Sequence, residues 1–300
     1  MYNGIINVYK EAGFTSHDVV AKLRGILKQK KIGHTGTLDP DAVGVLPVCL
    51  GSGTKLCDML TDKSKEYRTE FLLGKVTDTQ DISGKILSEE KVEVTVPETE
   101  RAIMLFVGAY EQIPPMYSAI KVDGKKLYEL ARAGKEIERK ARPVRIDYIK
   151  IDRLEIPEVT MTVGCSKGTY IRTLCHDIGQ ELGCGAVMTH LERIRVGEFG
   201  IEKSLTLAQI ETAVKDGTIR EYILPVEEVF ADYPSVTVQR SFRKLIDNGN
   251  SFYTGMTVQS PLFDDKDMVR VHSEEGKFYG IFEYCSQEDK FRPVKMFMEK

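Results

Sequence analysis

The sequence lacks the features that mark several protein classes. Its longest apolar runs, such as Val43 to Leu50, are far too short to span a bilayer, so no transmembrane helix is expected. The N-terminus lacks the charged and then apolar pattern of a secretion signal, so we expect a cytoplasmic protein. The six cysteines form no C-x-x-C pair. Neither a zinc site nor a disulfide framework is therefore indicated, and buried free thiols are expected.

A surplus of positive charge is also missing. The formal net charge is -3, which by itself does not indicate a polyanionic partner such as nucleic acid. The charges are unevenly distributed, however, because the stretch from Lys121 to Arg145 contains nine basic and four acidic residues. This basic segment is a candidate surface for contacting phosphates. An ordinary solvated helix face would have a similar composition, so both interpretations stay open.

No internal repeat and no low-complexity tract divides the chain. Strand and helix patterns alternate without a repeated strand-helix-strand unit of constant length. We therefore predict an α+β fold with a mixed, largely antiparallel sheet flanked by helices, rather than a doubly wound one. Ser16 is the predicted cap of the first helix, Val92–Val96 is a predicted strand, and Asp123–Gly124 is a predicted turn before a helix from Lys126.

The pattern changes near residue 231. Beyond it, short β-like runs are separated by turn residues, which predicts a small β-rich second domain. We therefore predict a first domain over residues 1–231 and a second over residues 232–300. The predicted strands of the second domain are Ser235–Val238, Val269–His272, Phe278–Tyr284 and Val294–Met298.

The densest cluster of chemically special residues runs from Gly33 to Pro40 and contains Asp39. The glycine-rich segment Gly51 to Lys55 is not a phosphate-binding P-loop. In a P-loop the lysine follows the last glycine directly, whereas here Thr54 stands between Gly53 and Lys55. The ordinary interpretation of an aspartate followed by proline is a helix cap with proline at the first helical position. Only its context gives Asp39 a functional interpretation.

Three further segments supply that context. Tyr67 lies in an alternating strand pattern, a Pro-Pro-Met-Tyr-Ser-Ala stretch starts at Pro114, and Tyr170 and Arg172 follow a glycine turn that enters a helix. Taken singly, such tyrosines are ordinary packing residues and such an arginine forms a surface ion pair. Together, a carboxylate, an arginine and aromatic rings suit a nucleotide turned out of its stack, whose sugar the carboxylate attacks or deprotonates.

Four long stretches are GHTGTLDPDAVGVLP (Gly33 to Pro47), KEYRTEFLLGKVTDTQDISG (Lys65 to Gly84), QIPPMYSAIKVDGKKLYELARAG (Gln112 to Gly134) and CSKGTYIRTLCHDIGQELGCGA (Cys165 to Ala186). They resemble the bacterial pseudouridine synthases of the TruB type, which modify uridine 55 in the T loop of transfer RNA. The stretches lie in the family's order and are spread over most of the first 200 residues. The tail from about Asp232 resembles the small RNA-binding PUA-type domain that is appended to this family.

The resemblance implies a pseudouridine-synthase fold and a role for six residues. Asp39 would be the catalytic aspartate, Arg172 would pair with it, and Tyr67 would stack on the uracil. The basic segment would correspond to a mobile insertion that clasps the T arm. The substrate-binding residues that the resemblance implies are His34, which would contact the target nucleotide or occupy the space it vacates, together with Tyr67, Tyr170, Arg172 and Leu191.

The implied reaction breaks the N1 to C1′ bond of the uridine, rotates the uracil and reattaches it through C5, so it requires no cofactor and no metal. The carboxylate of Asp39 would add to C1′ or remove the C2′ proton to give a glycal. Either route needs the carboxylate ionised, and a neighbouring guanidinium favours that form. Tyr67 would act as the base that removes the C5 proton, or would position that base.

The implied partner is the T arm of tRNA, and we expect a monomer that needs neither a guide RNA nor a membrane. One alternative is a relative that works inside a guide-RNA ribonucleoprotein, which is disfavoured because the insertion after Gly124 resembles the stand-alone bacterial form. The other alternative is a non-catalytic RNA-binding or tRNA-folding module. The presence of Asp39, Tyr67 and Arg172 together argues against that module as the sole role.

Overall fold

Strands and short helices alternate irregularly along the chain. The structure, a computed structural model, describes residues 1–122, 124–259 and 262–298. The strands are β1 (Gly4–Lys10), β2 (Ile32–His34), β3 (Val43–Leu50), β4 (Lys65–Leu73), β5 (Lys75–Thr77), β6 (Ile86–Glu89), β7 (Gly108–Gln112), β8 (Lys121–Val122), β9 (Lys125–Lys126), β10 (Arg142–Glu155), β11 (Glu158–Cys165), β12 (Ala186–Val196), β13 (Phe199–Gly200), β14 (Ile223–Leu224), β15 (Ser235–Val238), β16 (Phe252–Tyr253), β17 (Met268–Ser273), β18 (Phe278–Cys285) and β19 (Lys290–Met296). The α-helices are α1 (Ser16–Leu27), α2 (Cys57–Thr61), α3 (Val96–Met104), α4 (Leu127–Arg132), α5 (Ile171–Glu181), α6 (Leu207–Lys215) and α7 (Arg243–Asp247).

A ten-stranded sheet carries most of these elements. Its main path runs β14-β1-β3-β12-β4-β11-β10-β7, and β2 and β13 pair with β3 and β12. The neighbours β3 and β12 run parallel and pair Val43 with Glu192 and Gly44 with Arg193, whereas the other pairs are antiparallel. The predicted α+β class with a mixed, largely antiparallel sheet is therefore confirmed. The parallel contact joins the two antiparallel halves of the sheet.

Each half of the sheet is covered by helices. Helices α1 and α6 pack on β1 and β3 around buried side chains that include Leu23, Val48 and Ile210. Helix α5 packs on the other half around a second cluster that includes Phe71 and Ile178. Burial of one such side chain stabilises the fold by about 1.5–3 kcal/mol, so these clusters fix the strands from which the site loops extend.

The first helix has a different cap from the predicted one. Thr15 caps α1, because its side chain accepts a hydrogen bond from the amide of Asp18 at 3.1 Å while the Asp18 carboxylate accepts one from the Thr15 amide at 2.8 Å. The predicted cap at Ser16 is therefore wrong by one residue. The Ser16 side chain instead accepts a hydrogen bond from the amide of Leu38 at 2.9 Å.

Two other local predictions concern the middle of the chain. The predicted strand Val92–Val96 is wrong, because residues 91–95 pair with no strand in the described chain and α3 begins at Val96. Val92 and Val94 still pack against the core, which accounts for the alternating apolar pattern. Asp123 of the predicted turn lies outside the described residues, and α4 follows from Leu127.

A five-stranded sheet of order β15-β17-β18-β19-β16 forms the C-terminal part of the structure. Phe252, Phe282 and Phe291 pack together in its core, with centroids 5.0–5.3 Å apart between neighbours. The β-rich character predicted for this part is confirmed, although the last strand is Lys290–Met296 rather than Val294–Met298. The domain boundary at residues 231 and 232 and the PUA type of the second domain stay predictions.

The two sheets share an apolar cluster. Ile5 and Leu56 of the first part pack with Phe230, Ile281 and Phe297. This cluster makes the small sheet a continuation of the larger body. None of the helices in the described ranges is long and apolar enough to cross a membrane.

Candidate active site

Asp39 lies in the loop that joins β2 to β3. Among the described elements, no helix begins at Asp39 or Pro40, so the helix-cap interpretation of this pair is wrong. The amide of Ala42 instead donates to the Asp39 carbonyl at 3.2 Å and forms a turn. Because β3 lies at the parallel junction, this loop, residues 35–42, stands where the two halves of the sheet meet. We call it the Asp39 loop.

Buried polar groups fasten the Asp39 loop to the body on both sides of the aspartate. The Lys10 side chain, which is 0% exposed, donates to the carbonyls of Pro40 at 2.9 Å and Ala42 at 2.6 Å. On the other side, the Ser16 side chain holds the Leu38 amide. Burial lowers the pKa of Lys10 to about 8. The loop therefore presents the Asp39 side chain from a fixed backbone.

Arg172 bridges two carboxylates at the start of α5. Its Nη2 lies 3.0 Å from Oδ2 of Asp39, and its Nη1 lies 3.4 Å from Oδ2 of Asp81. The Arg172 side chain is only 6% exposed, whereas that of Asp39 is 44% exposed. Burial raises the pKa of the Asp39 carboxyl, the Arg172 guanidinium opposes this rise and the Asp81 charge adds to it. Arg172 thus favours the ionised form of a carboxylate whose ionised form burial disfavours.

Arg172 also organises the backbone around the site. Its Nη2 donates to the carbonyl of Tyr117 at 2.8 Å, and its Nη1 lies 3.5 Å from the carbonyl of Thr79. One guanidinium therefore connects the Asp39 loop, the segment around Asp81 and the Pro-Pro-Met-Tyr segment. A planar group with five donors suits this multiple contact better than a lysine ammonium does.

A pocket opens beside Asp39. It encloses about 90 Å³ and is lined by Thr37, Leu38, Asp39, Tyr67, Thr169, Tyr170, Ile171, Arg172 and Leu191. Tyr67 comes from β4, Leu191 from β12 and Tyr170 from the residue before α5. Burial raises the pKa of both phenols, so the two rings are neutral near pH 7. The pocket therefore combines one carboxylate and one guanidinium with apolar and aromatic walls.

Gln112 fixes the position of Tyr170. Its side-chain amide accepts from the Tyr170 backbone N–H at 2.8 Å and donates to the Tyr170 carbonyl at 3.0 Å. Gln112 ends β7 and is buried, so these bonds tie the start of α5 to the edge of the large sheet. The sequence pattern did not single out Gln112, because a glutamine two residues before a pair of prolines carries no signal of this contact.

His34 lies near the site but does not line the pocket. It ends β2, and its ring meets that of His17 edge-on, with centroids 5.1 Å apart. Its Nδ1 is buried and has no hydrogen-bond partner in the described chain. Burial lowers the pKa of His34, which favours the neutral ring. Of the six residues predicted from the resemblance, the other five line the pocket together.

Arg193 is a further charged residue that sequence reasoning missed. It lies on β12, is 1% exposed, and forms no ion pair with a carboxylate of the described chain. Lys10 and Asp81 were also missed, although a lysine ending the apolar run of β1 is an unusual feature that could have indicated Lys10. Across the described ranges, no group of three or more His, Cys, Asp or Glu side chains could hold a metal ion.

Two family models match adjoining parts of the chain. Residues 24–171 match the model described as TruB family pseudouridylate synthase (N terminal domain). Residues 172–231 match the model described as tRNA pseudouridylate synthase B C-terminal domain. The Asp39 loop, Tyr67 and Tyr170 fall in the first model, and Arg172 and Leu191 in the second. Neither of these models reaches residues 232–300.

Curated relatives are similar over nearly the whole chain. A protein of Lachnoclostridium phytofermentans named tRNA pseudouridine synthase B is 52% identical over 308 residues, covering 99% of this chain and 100% of the relative. A protein of the same name from Clostridium novyi is 49% identical and covers 93% of this chain and 94% of the relative.

Solved structures share the fold at lower identity. A chain from the structure of an H/ACA RNP bound to a substrate RNA containing 2′-deoxyuridine is 27% identical with a TM-score of 0.71, covering 99% of this chain and 85% of that one. A chain from a Cbf5-Nop10-Gar1 complex is 29% identical with a TM-score of 0.71, covering 98% and 85%.

Proposed function

The chain belongs to the TruB family of pseudouridylate synthases, and from this premise we propose how its pocket converts uridine 55 of tRNA to pseudouridine. The activity is that of an isomerase on tRNA. The observation that carries the assignment of the site is the ion pair of Asp39 with a buried Arg172 at the mouth of an aromatic pocket. We propose Asp39 as the catalytic residue and the pocket as the site of the flipped base.

The target nucleotide has to leave the stack of the T loop before it can enter this pocket. Tyr67 offers a ring for stacking on the uracil, and Tyr170 and Leu191 complete the apolar walls. Stacking on an aromatic side chain contributes about 1–3 kcal/mol per base, which offsets part of the energy of unstacking. The base is then held beside the Asp39 carboxylate with little water around it.

The chemistry then needs an ionised carboxylate at the ribose. Asp39 either adds to C1′ as the N1 to C1′ bond breaks, or removes the C2′ proton to give a glycal and release the uracil. The uracil rotates within the pocket and C5 bonds to C1′. In the first route the bond between Asp39 and C1′ breaks as this bond forms, and in the second route C2′ regains the proton that Asp39 had removed. The C5 proton then leaves and N1 gains a proton. Arg172 keeps Asp39 ionised and oriented, and Tyr67 is the candidate base, or the positioner of the base, for the C5 proton.

We also propose which parts of the tRNA His34 and the basic segment contact. His34 lies outside the pocket lining and would meet the neighbouring part of the T loop rather than the flipped base. The basic segment forms β8, β9, α4 and the start of β10, and the amide of Tyr128 in α4 bonds to the carbonyl of Ser118 at 3.1 Å. Ser118 follows Tyr117, a partner of Arg172, so the basic segment would contact the phosphates of the T arm next to the pocket.

We further propose that the chain acts on tRNA as a monomer, without a guide RNA, and in the cytoplasm, where tRNA is modified. The similar solved structures come from ribonucleoproteins, so guide independence has to be tested directly. The purified chain alone, incubated with unmodified tRNA, should form pseudouridine at position 55. Modification that appears only after guide RNA or partner proteins are added would contradict this proposal.

The assignment of Asp39 is tested by Asp39→Asn. The amide has nearly the shape of the carboxylate but cannot act as a nucleophile or base, so the variant should fold and bind tRNA while turnover is lost. Site-specific mapping of pseudouridine measures turnover, and filter binding measures affinity. Asp41→Asn, on the same loop but outside the pocket lining, is the matched control and should retain activity. Pseudouridine formed by a well-purified Asp39→Asn variant would refute the assignment.

A further inference from the structure

Arg193 is a fully buried cation whose presence the proposed chemistry does not explain. Its side chain is enclosed between β3, β4 and β12, and the part of the chain that the structure describes supplies no carboxylate within ion-pair distance of it. An unpaired buried guanidinium is strongly disfavoured unless its donors are used, because the charge loses its hydration. The groups that accept its hydrogen bonds therefore indicate what it does.

Two of these groups belong to the backbone around the Asp39 loop. The Nε of Arg193 donates to the carbonyl of Val45 at 2.7 Å, and its Nη2 donates to the carbonyl of Gly36 at 3.3 Å. Gly36 lies three residues before Asp39, and Val45 lies in β3 just beyond the loop. The Arg193 guanidinium is therefore hydrogen-bonded to the backbone both before and after Asp39.

The third contact is the Tyr67 side chain. Arg193 and Tyr67 are direct partners in the antiparallel pairing of β12 with β4, so their side chains project on the same side of the sheet. Burial raises the pKa of the Tyr67 phenol and the Arg193 charge opposes this rise, so the two groups lie beside each other. Tyr67 also lines the pocket. One guanidinium thus lies beside the ring proposed to stack on the uracil and bonds to the backbone on both sides of Asp39.

The backbone of Arg193 packs closely against β3. Gly44 is its partner on β3, and a Cβ at Gly44 would lie 2.3 Å from the Arg193 carbonyl oxygen. The backbones of β3 and β12 therefore approach closely only because Gly44 has no side chain. This close approach brings the Asp39 loop within reach of the guanidinium.

We propose that Arg193 is a positioning residue for the isomerisation, which sets the Tyr67 ring and the Asp39 loop at a fixed distance from each other. This inference rests on the proposed roles of Asp39 and Tyr67. Arg193 itself is too deeply buried to touch RNA. Its loss should therefore lower the rate of the chemical step and leave the binding of tRNA unchanged.

The test is a double-mutant cycle between Arg193→Met and Tyr67→Phe, read by single-turnover mapping of pseudouridine. Arg193→Met should lower kcat by about 100-fold, the effect of a displacement of about 1 Å, with KM for tRNA changed less than about twofold. The phenol contact is already absent in the Tyr67→Phe background. The fold loss of kcat caused by Arg193→Met should therefore be at least about tenfold smaller there than in the parent. Arg193→Lys, which keeps a cation, should recover about tenfold over Arg193→Met.

A matched control lies two residues further along the same strand. Arg195 pairs with Glu66 at 3.4 Å and is partly exposed, so Arg195→Met should leave kcat within about twofold of the parent. Circular dichroism and thermal unfolding establish the folded fraction of each variant. If Arg193→Met does not fold, the cycle is run with Arg193→Lys, and the same non-additivity is expected.

Two results would overturn the proposal. One is an Arg193 variant that turns over at the parent rate, and the other is an equal loss of kcat in the parent and Tyr67→Phe backgrounds, which would indicate a purely structural role. The parent chain and Asp39→Asn are assayed alongside. If the parent forms no pseudouridine 55, or Asp39→Asn remains active, the proposed function fails. If both behave as expected and the cycle is additive, only the role of Arg193 fails.

Discussion

Arg172→Met is the substitution that bears most directly on the charge arrangement of the site. Arg172 is buried, and its nitrogen atoms lie 3.0 Å from Asp39 and 3.4 Å from Asp81. Methionine fills similar space without charge. Two carboxylates would then face each other with no cation between them, and the carbonyl of Tyr117 would lose its donor. The pKa of Asp39, already raised by burial, should rise further.

The size of the effect follows from the ion-pair geometry. At 3.0 Å and an effective dielectric constant of about 20, the attraction between Arg172 and Asp39 is about 5 kcal/mol. The Asp39 side chain is 44% exposed, so solvent screens part of this attraction. We therefore take about 3 kcal/mol as the stabilisation of ionised Asp39 that the substitution removes. If the transition state depends on that support, kcat falls by about 100-fold or more. Binding of tRNA should change little, because Arg172 is buried.

The assay is single-turnover modification of unmodified tRNA across a range of pH. The parent should lose activity on the acid side as Asp39 becomes protonated. In Arg172→Met this loss should begin at a higher pH, so that raising the pH restores part of the activity. Arg153→Met, which removes an exposed arginine that pairs with Glu155 and does not line the pocket, is the control and should behave as the parent does.

Two outcomes would refute this reasoning. A parental rate in Arg172→Met would show that the guanidinium does not support the reacting carboxylate. A loss confined to KM would show that Arg172 serves RNA binding instead. Arg172→Lys adds a finer comparison, because a lysine keeps the charge but cannot reach Asp39, Asp81 and the Tyr117 carbonyl together, so an intermediate rate is expected.

Two predictions concern stability. The pKa of Lys10 is about 8 in the folded chain against an ordinary value of 10.5, so between these pH values the unfolded chain binds more protons and the free energy of unfolding rises with pH. Urea unfolding at about pH 7.5 and about pH 10 should show a rise in the parent that exceeds that of Lys10→Met by about 2–3 kcal/mol, and identical pH dependence in both would contradict the low pKa. Gly44→Ala should lower the free energy of unfolding by about 3 kcal/mol or more, because the φ of Gly44 is +104° and the new Cβ would meet the Arg193 carbonyl at 2.3 Å. Gly13→Ala, with a positive φ but open space, should lower it by only about 1 kcal/mol, and equal losses at the two glycines would exclude the steric explanation.

Most residues of the pocket were already predictable from the sequence. Asp39, Tyr67, Tyr170 and Arg172 lie in motifs that are local in the chain, whereas Leu191 was implied by the family resemblance alone. The structure brings these five residues to one pocket. The largely antiparallel α+β fold was likewise predictable, because strand and helix periodicities depend on neighbouring residues. The predicted start of α1 was wrong by only one residue. Thr15 and Ser16 are both suitable caps, and only the geometry selects Thr15.

The sequence could not indicate which distant residues support that pocket. Lys10 lies 30 positions before Pro40, Asp81 lies 91 positions before Arg172, and Arg193 reaches the backbone of Gly36 from 157 positions away. Each is an ordinary charged residue in its local pattern. Its role depends on burial and on hydrogen bonds that exist only after the strands have assembled.

Short motifs and local periodicity were sufficient to predict the family and the fold class, and to name five residues that the structure brings to one pocket. The tertiary structure alone decided that β3 and β12 run parallel, that one guanidinium serves both Asp39 and Asp81, and that His34 stands outside the pocket lining. The physical reason is that the charge state and orientation of Asp39 are set by desolvation and by partners across the sheet, and neither is a property of neighbouring residues in the chain.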